Sequence, residues 1–549
     1  MHTLIRLRWL ILIFFVALFF RVVFLGSLPA TFFVDEVLSG YLGRYLWETG
    51  KDLYGNVWPL LYFNKFGDYY IILPMYLDGI STYFFGVTRF AVRFPTVLIG
   101  ALSIFPIYGI SRRFSQSSLS GYLTALLFAI TPWHIVLSRA TTESVIELFV
   151  LLLVIWSLLK HFESRAIRWF IFAIGMSVLS YFVYHVSRVL VPLIWLSAGV
   201  RGFFSLLRMG VRPVWKPYVV AGVLFLFFTM MIGRTDWGKG RFSQTSIFSE
   251  QSGVSIRMDE MTYNLGSNAV FLARIFHNKV VGYSREFVNQ YLSYYSPLYV
   301  FTSQAWMKTR YAVPESGPLF VVGLVFILLF VSQKSQKKDA YFVRLFIFLL
   351  CAVAPLPAAM AVIESPNIRR SLFVLVPLLL FAGEGWARSF SLRIWKLNLG
   401  MLLSVLVFAE LFLFSYYYVK QSNMYSSLYR TDGMPEIAQY IDEKLSETQT
   451  VVVFDAVDFP LYYLFQKRDF STDWSSRFRF GLEIDSMNMV YPTRKKCAMD
   501  FSTDEFARYE NAVFIQSSGC EVPLHFEKIA QIQAQNQLIR FDVLKRQQK

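Results

Sequence analysis

Apolar residues gather into eleven runs, near residues 9–27, 91–111, 118–137, 142–160, 168–184, 188–207, 216–233, 317–332, 341–361, 370–388 and 394–419. About twenty consecutive apolar residues are what a helix needs to cross the hydrocarbon of a bilayer. Basic clusters punctuate the runs at Arg6 and Arg8, Arg112-Arg113, Lys160 to Arg168, Arg201 to Lys216, Lys334 to Arg344 and Arg388 to Lys396. They recur after every second run, so the excess of Lys and Arg on cytoplasmic loops predicts about eleven spans, with the N-terminus inside and the C-terminus outside. Arg6 and Arg8 followed by a long apolar run read as an uncleaved anchor rather than a signal peptide, and Arg21 is expected to snorkel to the outer interface. Residues 68–86 resist this pattern: counted as a span they would put Arg112-Arg113 outside. Residues 30–90 are therefore expected along the outer interface, where Tyr41, Tyr45, Trp47, Tyr54, Trp58, Tyr69 and Tyr70 suit the head-group zone. Twelve spans is the alternative.

After residue 420 the pattern changes to that of a small soluble α/β domain. A helix is predicted over 435–445, and buried strands over 451–454, 512–515 and 538–541. The expected organisation is a transmembrane domain over 1–420, with outer loops at 30–90 and 234–316, followed by an extracytoplasmic domain over 421–549. Cys497 and Cys520 lie in this tail and can pair if it faces an oxidising space; Cys351 lies in an apolar run.

Composition agrees with a membrane protein. The 549 residues are 55% hydrophobic and only 16% charged, where soluble domains carry about 25% charged residues; the mean hydropathy is +0.45. The net charge of +16 resides largely in short loops, where it sets orientation and meets membrane lipid, so no nucleic-acid partner is implied. No Walker loop, zinc motif or Gly-x-Ser-x-Gly occurs.

The polar residues that break the pattern fall on the expected outer side. Asp35 and Glu36 follow the first run, and acids at a membrane boundary mark a candidate site. Arg139, Arg188, Arg369 and Arg370 sit on outer turns, against the orientation bias; a guanidinium fork there matches phosphate oxygens, and snorkelling to head groups is the plain alternative. The long outer loop is rich in Tyr and Phe, which suits a sugar, a lipid boundary or a structural lid. A carboxylate that accepts a hydroxyl proton and arginines that stabilise a leaving phosphate together describe glycosyl transfer from a lipid-phosphate sugar. No cofactor is demanded; a divalent cation held by Asp35, Glu36, Asp68 and Glu143 stays open.

Several stretches in order resemble the GT-C superfamily, specifically the group of dolichyl-phosphate-mannose protein mannosyltransferases and lipid A aminoarabinose transferases. They are Val34-Asp35-Glu36, residues 85–95 (Phe85 to Pro95), residues 131–139 (Thr131-Pro132-Trp133-His134 to Arg139), residues 181–192 (Tyr181 to Pro192), and Pro355-Leu356-Pro357 leading to Arg369-Arg370. The resemblance implies a helical membrane bundle with interfacial helices in the first outer loop. It implies inverting transfer of a sugar from a polyprenyl-phosphate donor to an extracytoplasmic protein, lipid or glycan acceptor. Asp35 would be the base and Glu36 would help hold a substrate. Arg139, Arg369 and Arg370 would face the lipid phosphate, assisted by Lys65 or His134; the Lys-Pro-Pro run of the aminoarabinose enzyme is replaced here by Asn64-Lys65-Phe66-Gly67-Asp68. A transporter or flippase of lipid-linked saccharides, or a non-catalytic envelope-assembly protein, is the competing reading. Internal repeats and mid-membrane helix breaks would mark the transporter.

Overall fold

A computed structural model describes all but residues 1, 30–31, 66–67, 210–214, 236–237, 239–245, 250–251, 266–269, 308, 333–340, 363–364, 427–432, 446–448, 455–458, 472–477, 480–482, 487–488, 493–495, 510, 535–539 and 548–549. Asp236, Trp237, residues 241–245 of the long loop and Glu364 thus lie outside the described residues, as do residues 538 and 539 of an expected strand. The first helices are α1 (His2–Val22), α2 (Val34–Thr49), α3 (Leu73–Phe85), α4 (Arg89–Leu102), α5 (Ile104–Ser115) and α6 (Ser118–Ile130). They continue with α7 (Pro132–Ser138), α8 (Glu143–Ser164), α9 (Ile167–Ser180), α10 (Ser187–Met209) and α11 (Lys216–Ile232). The chain forms two compact units, one of Met1–Val23, Thr96–Met307 and Val313–Tyr418, the other of Phe24–Pro95, Lys308–Ala312 and Val419–Lys549.

The first unit is helical, and every expected apolar run has a helix or a helix pair. Among the described residues, six helices are long and apolar enough to cross a membrane: Arg89–Ser115, Glu143–Ser164, Ser187–Leu207, Tyr341–Ala359, Leu372–Ser389 and Leu399–Lys420. A seventh candidate, α6 with α7, bends by 50°. The bend has a local cause: Pro132 starts α7, and the residue before a proline avoids helical angles, so Thr131 is extended at φ −62°, ψ 125°. Ile167–Ser180, Lys216–Ile232 and Val322–Ser332 are apolar but shorter. The last run starts later than expected, because strands β3 (Arg393–Ile394) and β4 (Leu397–Asn398) form a hairpin ahead of its helix.

The helix Leu375–Ser389 lies at the centre of this unit, all but wholly buried along its length. Two glycines let neighbouring helices approach it. A Cβ on Gly383 would come within 1.9 Å of the Thr124 hydroxyl, and one on Gly385 within 1.8 Å of the Phe326 carbonyl oxygen. Small residues at such crossings let helices pack backbone to backbone where lipid supplies no hydrophobic drive.

The second unit combines helices α2 and α3, the hairpin β1 (Phe63–Lys65) and β2 (Asp68–Tyr70), and a sheet built from the C-terminal residues. That sheet contains β5 (Val451–Val453), β6 (Phe478–Arg479), β7 (Glu483–Ser486), β8 (Met489–Pro492), β9 (Val513–Ser517), β10 (Phe526–Gln533) and β11 (Arg540–Arg546), in the order β10-β11-β9-β5-β8-β7-β6. β5 runs parallel to β8 and β9, and the remaining pairs are antiparallel. The expected helix is present as Met434–Lys444, its apolar face (Ile437, Ala438, Ile441) turned inward. Cys497 and Cys520 form a disulfide.

The boundary expected at residue 420 does not divide the chain as its contacts do. One apolar core joins Val37, Tyr41, Leu42 and Leu46 of α2 to Ile437, Leu461, Leu464, Val513 and Val543. Residues 24–95 thus pack with the C-terminal domain, because the apolar face of α2 is buried against side chains more than 350 residues away in the chain. Tyr41 shows it directly, its ring stacked 5.3 Å from that of Phe470.

Candidate functional site

In the second unit, Asp35 and Glu36 occupy the first turn of α2, where carboxylates complement the positive end of the helix dipole. The structure gives them opposite environments. Glu36 is fully buried and meets the equally buried Arg93 through both oxygens, at 2.7 and 3.1 Å. It also accepts the Phe33 amide at 3.0 Å. Arg93 in turn donates to the carbonyls of Leu25 and Pro29 at 3.0 and 3.1 Å. This pair ties α2, α4 and the chain entering α2 together.

The Asp35 side chain is 36% exposed, and its Oδ2 lies 2.7 Å from an amino nitrogen of Arg310. The Arg310 guanidinium stacks over the Phe33 ring at 3.7 Å and donates to the Tyr311 hydroxyl at 2.8 Å. An aromatic face, a phenol and a carboxylate thus fix one cation, and that cation fixes the position of Asp35. Sequence reasoning missed Arg310. It lies 275 residues from Asp35, and its only local signal is its place in the aromatic-rich loop over 234–316.

Lys65 ends β1, opposite Asp68; its side chain, like that of Asp68, lies outside the description. Among the described residues no group of three or more His, Cys, Asp or Glu side chains could hold a metal ion.

In the first unit, two of the expected donor residues support the helices. Arg139 donates to the carbonyls of Phe20 and Arg21, both at 3.0 Å, and to the Tyr418 hydroxyl at 3.2 Å. It thereby satisfies the last carbonyls of α1, groups that a helix end leaves without intrahelical partners. Arg21, expected to snorkel outward, is instead fully buried and bonds the carbonyls of Ala17 and Ala129, each at 2.8 Å. His134 is buried with Nδ1 2.9 Å from the Arg21 guanidinium. A nitrogen facing an obligate donor must accept, so the ring carries its proton on Nε2.

Arg369 and Arg370 belong to a different cluster. Their backbone amides are held by the Asn367 side chain, each at 3.0 Å, and their charges act on Tyr184 in the turn between α9 and α10. Burial pushes the Tyr184 phenol up to about 12, and the two arginines oppose that rise. Ser187, the first residue of α10, donates to Glu147 of α8 at 2.6 Å. Arg188 follows it, and its carbonyl accepts the Thr229 hydroxyl at 2.8 Å. The fold therefore gathers Arg369 and Arg370 with the 181–188 turn, while Arg139 and His134 are committed to α1 and Arg21.

Residues 72–232 match the family model of dolichyl-phosphate-mannose-protein mannosyltransferase. Along nearly its whole length the chain superposes on ArnT from Cupriavidus metallidurans in the apo state, with a TM-score of 0.54 at 13% identity, covering 98% of this chain and 97% of that one. The chain shares the fold of ArnT. ArnT bound to undecaprenyl phosphate gives a TM-score of 0.50 at 12% identity, covering 99% of this chain and 97% of that one. No curated protein sequence matches the chain. The matched segment runs from α3 to α11 and includes Arg93, His134, Arg139 and Arg188. Asp35, Arg310, Arg369 and Arg370 lie outside it, so the case for them rests on geometry.

Proposed function

We propose that the protein is a membrane glycosyltransferase that moves a sugar from a polyprenyl-phosphate donor to an extracytoplasmic acceptor hydroxyl with inversion. The observation that carries this reading is the part-exposed Asp35, fixed by Arg310 at the head of α2, in a chain that shares the fold of ArnT. The match to a dolichyl-phosphate-mannose-dependent family supports the donor class, as does the undecaprenyl phosphate bound by the structurally similar ArnT.

In the proposed step the acceptor oxygen attacks the anomeric carbon from the face opposite the phosphate. The bond from that carbon to the phosphate oxygen breaks, and its electrons leave with polyprenyl phosphate. The hydroxyl proton passes to the Asp35 carboxylate, which Arg310 holds in place. Arg369 and Arg370 are the candidates to stabilise the charge that grows on the leaving phosphate. Glu36 and Arg139 are assigned to the fold rather than to substrate, on their buried pairing and carbonyl contacts. The Asp35 side and the C-terminal domain face away from the cytoplasm, a placement supported by the alternation of basic turns along the chain.

The test uses purified protein in lipid with a radiolabelled polyprenyl-phosphate hexose, following release of the lipid phosphate with and without an envelope extract as acceptor. Acceptor-dependent release is expected from the wild type and at least a hundredfold less from Asp35→Asn, the loss typical of a removed general base. Equal release from both proteins would eliminate Asp35 as the base.

A further inference from the structure

The basic turns that orient the chain do more than lie on one side of it. Arg112 and Arg113 end α5, Lys160 lies in the last turns of α8, and Arg201 is on α10; among the described residues all four line one recess of about 680 Å³, with Ser118 of α6 and one carboxylate, Glu163. The recess is at the C-terminal end of α8, while Glu143, next to the turn that carries Arg139, begins the same helix. Twenty-two residues at 1.5 Å each separate the two ends by about 30 Å.

Orientation alone asks only that cations be on the loops. Here three successive basic turns converge on one concavity, and the details are those of a binding site. Arg201 stacks its guanidinium over the Phe162 ring at 4.0 Å. Its buried Nε has no hydrogen-bond partner among the described residues. Lys160 is held over the Trp156 ring at 5.5 Å. Arg113, only 15% exposed, meets Glu163 at 2.9 Å, and Glu163 itself is half exposed. The C-terminal half-charges of α5 and α8 oppose an anion and the N-terminus of α6 favours one, a net of about minus one half. Four cations against one carboxylate outweigh that by a wide margin.

We infer that this recess is a second binding site, specific for a phosphate-bearing anion of at least two negative charges. Its volume falls within the roughly 300–1,000 Å³ of small-molecule sites and far exceeds one phosphate, so the ligand carries an organic part or a second phosphate. A diphosphate lipid head group and a soluble diphosphate present the same chemistry. The inference does not depend on the transferase reading, since no residue of the recess takes part in the proposed transfer.

The experiment uses the full chain in neutral phosphatidylcholine nanodiscs. In one arm inorganic pyrophosphate is titrated; in the other the nanodiscs carry a minor fraction of diphosphatidylglycerol. Binding is read by native mass spectrometry and by the rise in melting temperature. Lys160→Gln with Arg201→Gln should weaken binding about thirtyfold, at roughly fivefold per lost cation. Arg274→Gln, an exposed cation outside the recess, should leave it unchanged. Glu163→Gln removes the opposing carboxylate and should tighten binding about fivefold, which keeps the test valid if the double variant folds poorly. Response to pyrophosphate alone supports a soluble ligand, and response to diphosphatidylglycerol alone supports a head group. No binding in either arm, or equal affinity for the wild type and Glu163→Gln, would overturn the inference.

Discussion

Adjacent carboxylates on one helix should fail in opposite ways. Glu36→Ala leaves the buried Arg93 guanidinium without its counter-ion, and stranding one partner of a buried pair costs about 3–5 kcal/mol. For a unit of about two hundred residues, each kcal/mol lowers the melting temperature by about 2–4 °C, so a drop of about 6–20 °C is expected. Asp35→Asn removes a part-exposed pair and a helix-dipole contribution that together are worth about 1 kcal/mol, so its melting temperature should fall by about 2–4 °C. Turnover should show the reverse order. Glu36→Ala assayed well below its melting point should keep most of its rate, and Asp35→Asn should lose nearly all of it. The assay is intrinsic tryptophan fluorescence against temperature in detergent, run beside the donor-release assay. The reasoning fails if Glu36→Ala melts within about 2 °C of the wild type, below even one kcal/mol on that scale. It fails equally if the folded Glu36→Ala protein is as inactive as Asp35→Asn.

Arg310→Ala should lower kcat at least tenfold with KM little changed, because a positioning group acts on the reacting step rather than on substrate affinity. Arg310→Lys should restore part of that rate, and Arg310→Ala should cost nothing further in an Asp35→Asn background; additive losses would place Arg310 elsewhere in the mechanism. Cys497→Ser opens a disulfide whose cysteines are 23 residues apart, a change worth about 3 kcal/mol of stability. Limited proteolysis should then cut the C-terminal domain faster than in the wild type, and equal rates would show that the bridge constrains nothing.

The helices were legible because bilayer-length apolar runs are strong signals, and each run has its helix or helix pair. What the runs could not give was partnership. The apolar face of α2 announces burial, but only folding shows that Phe465 and Phe470 pack against it. Nor could they give how the four arginines on turns expected outside divide. All four share one expected anomaly, positive charge against the orientation bias, and that anomaly has two physical solutions. A guanidinium can satisfy the open carbonyls of a helix end, as Arg139 does for α1, or it can face a substrate phosphate, the role proposed for Arg369 and Arg370 beside Tyr184. Both put the same residue at the same kind of turn, so sequence position cannot separate them.

The Asp35-Glu36 pair poses the same difficulty at single-residue resolution, and here helix geometry resolves it. Consecutive residues on a helix point about 100° apart, so two neighbouring carboxylates in one turn cannot share an environment. Glu36 shares its side of α2 with Gly40 and Gly43. A Cβ on Gly40 would come within 2.5 Å of Val92, and one on Gly43 within 2.2 Å of the Met75 carbonyl oxygen. On so closely packed a side a carboxylate persists only with a counter-ion, and Arg93 is that counter-ion. Asp35, one step round the helix, keeps a third of its side chain exposed and meets a cation from a loop. The base proposed here, which would receive a proton from an incoming hydroxyl, has to stand on the exposed side; the packing of Glu36 is what holds Asp35 there.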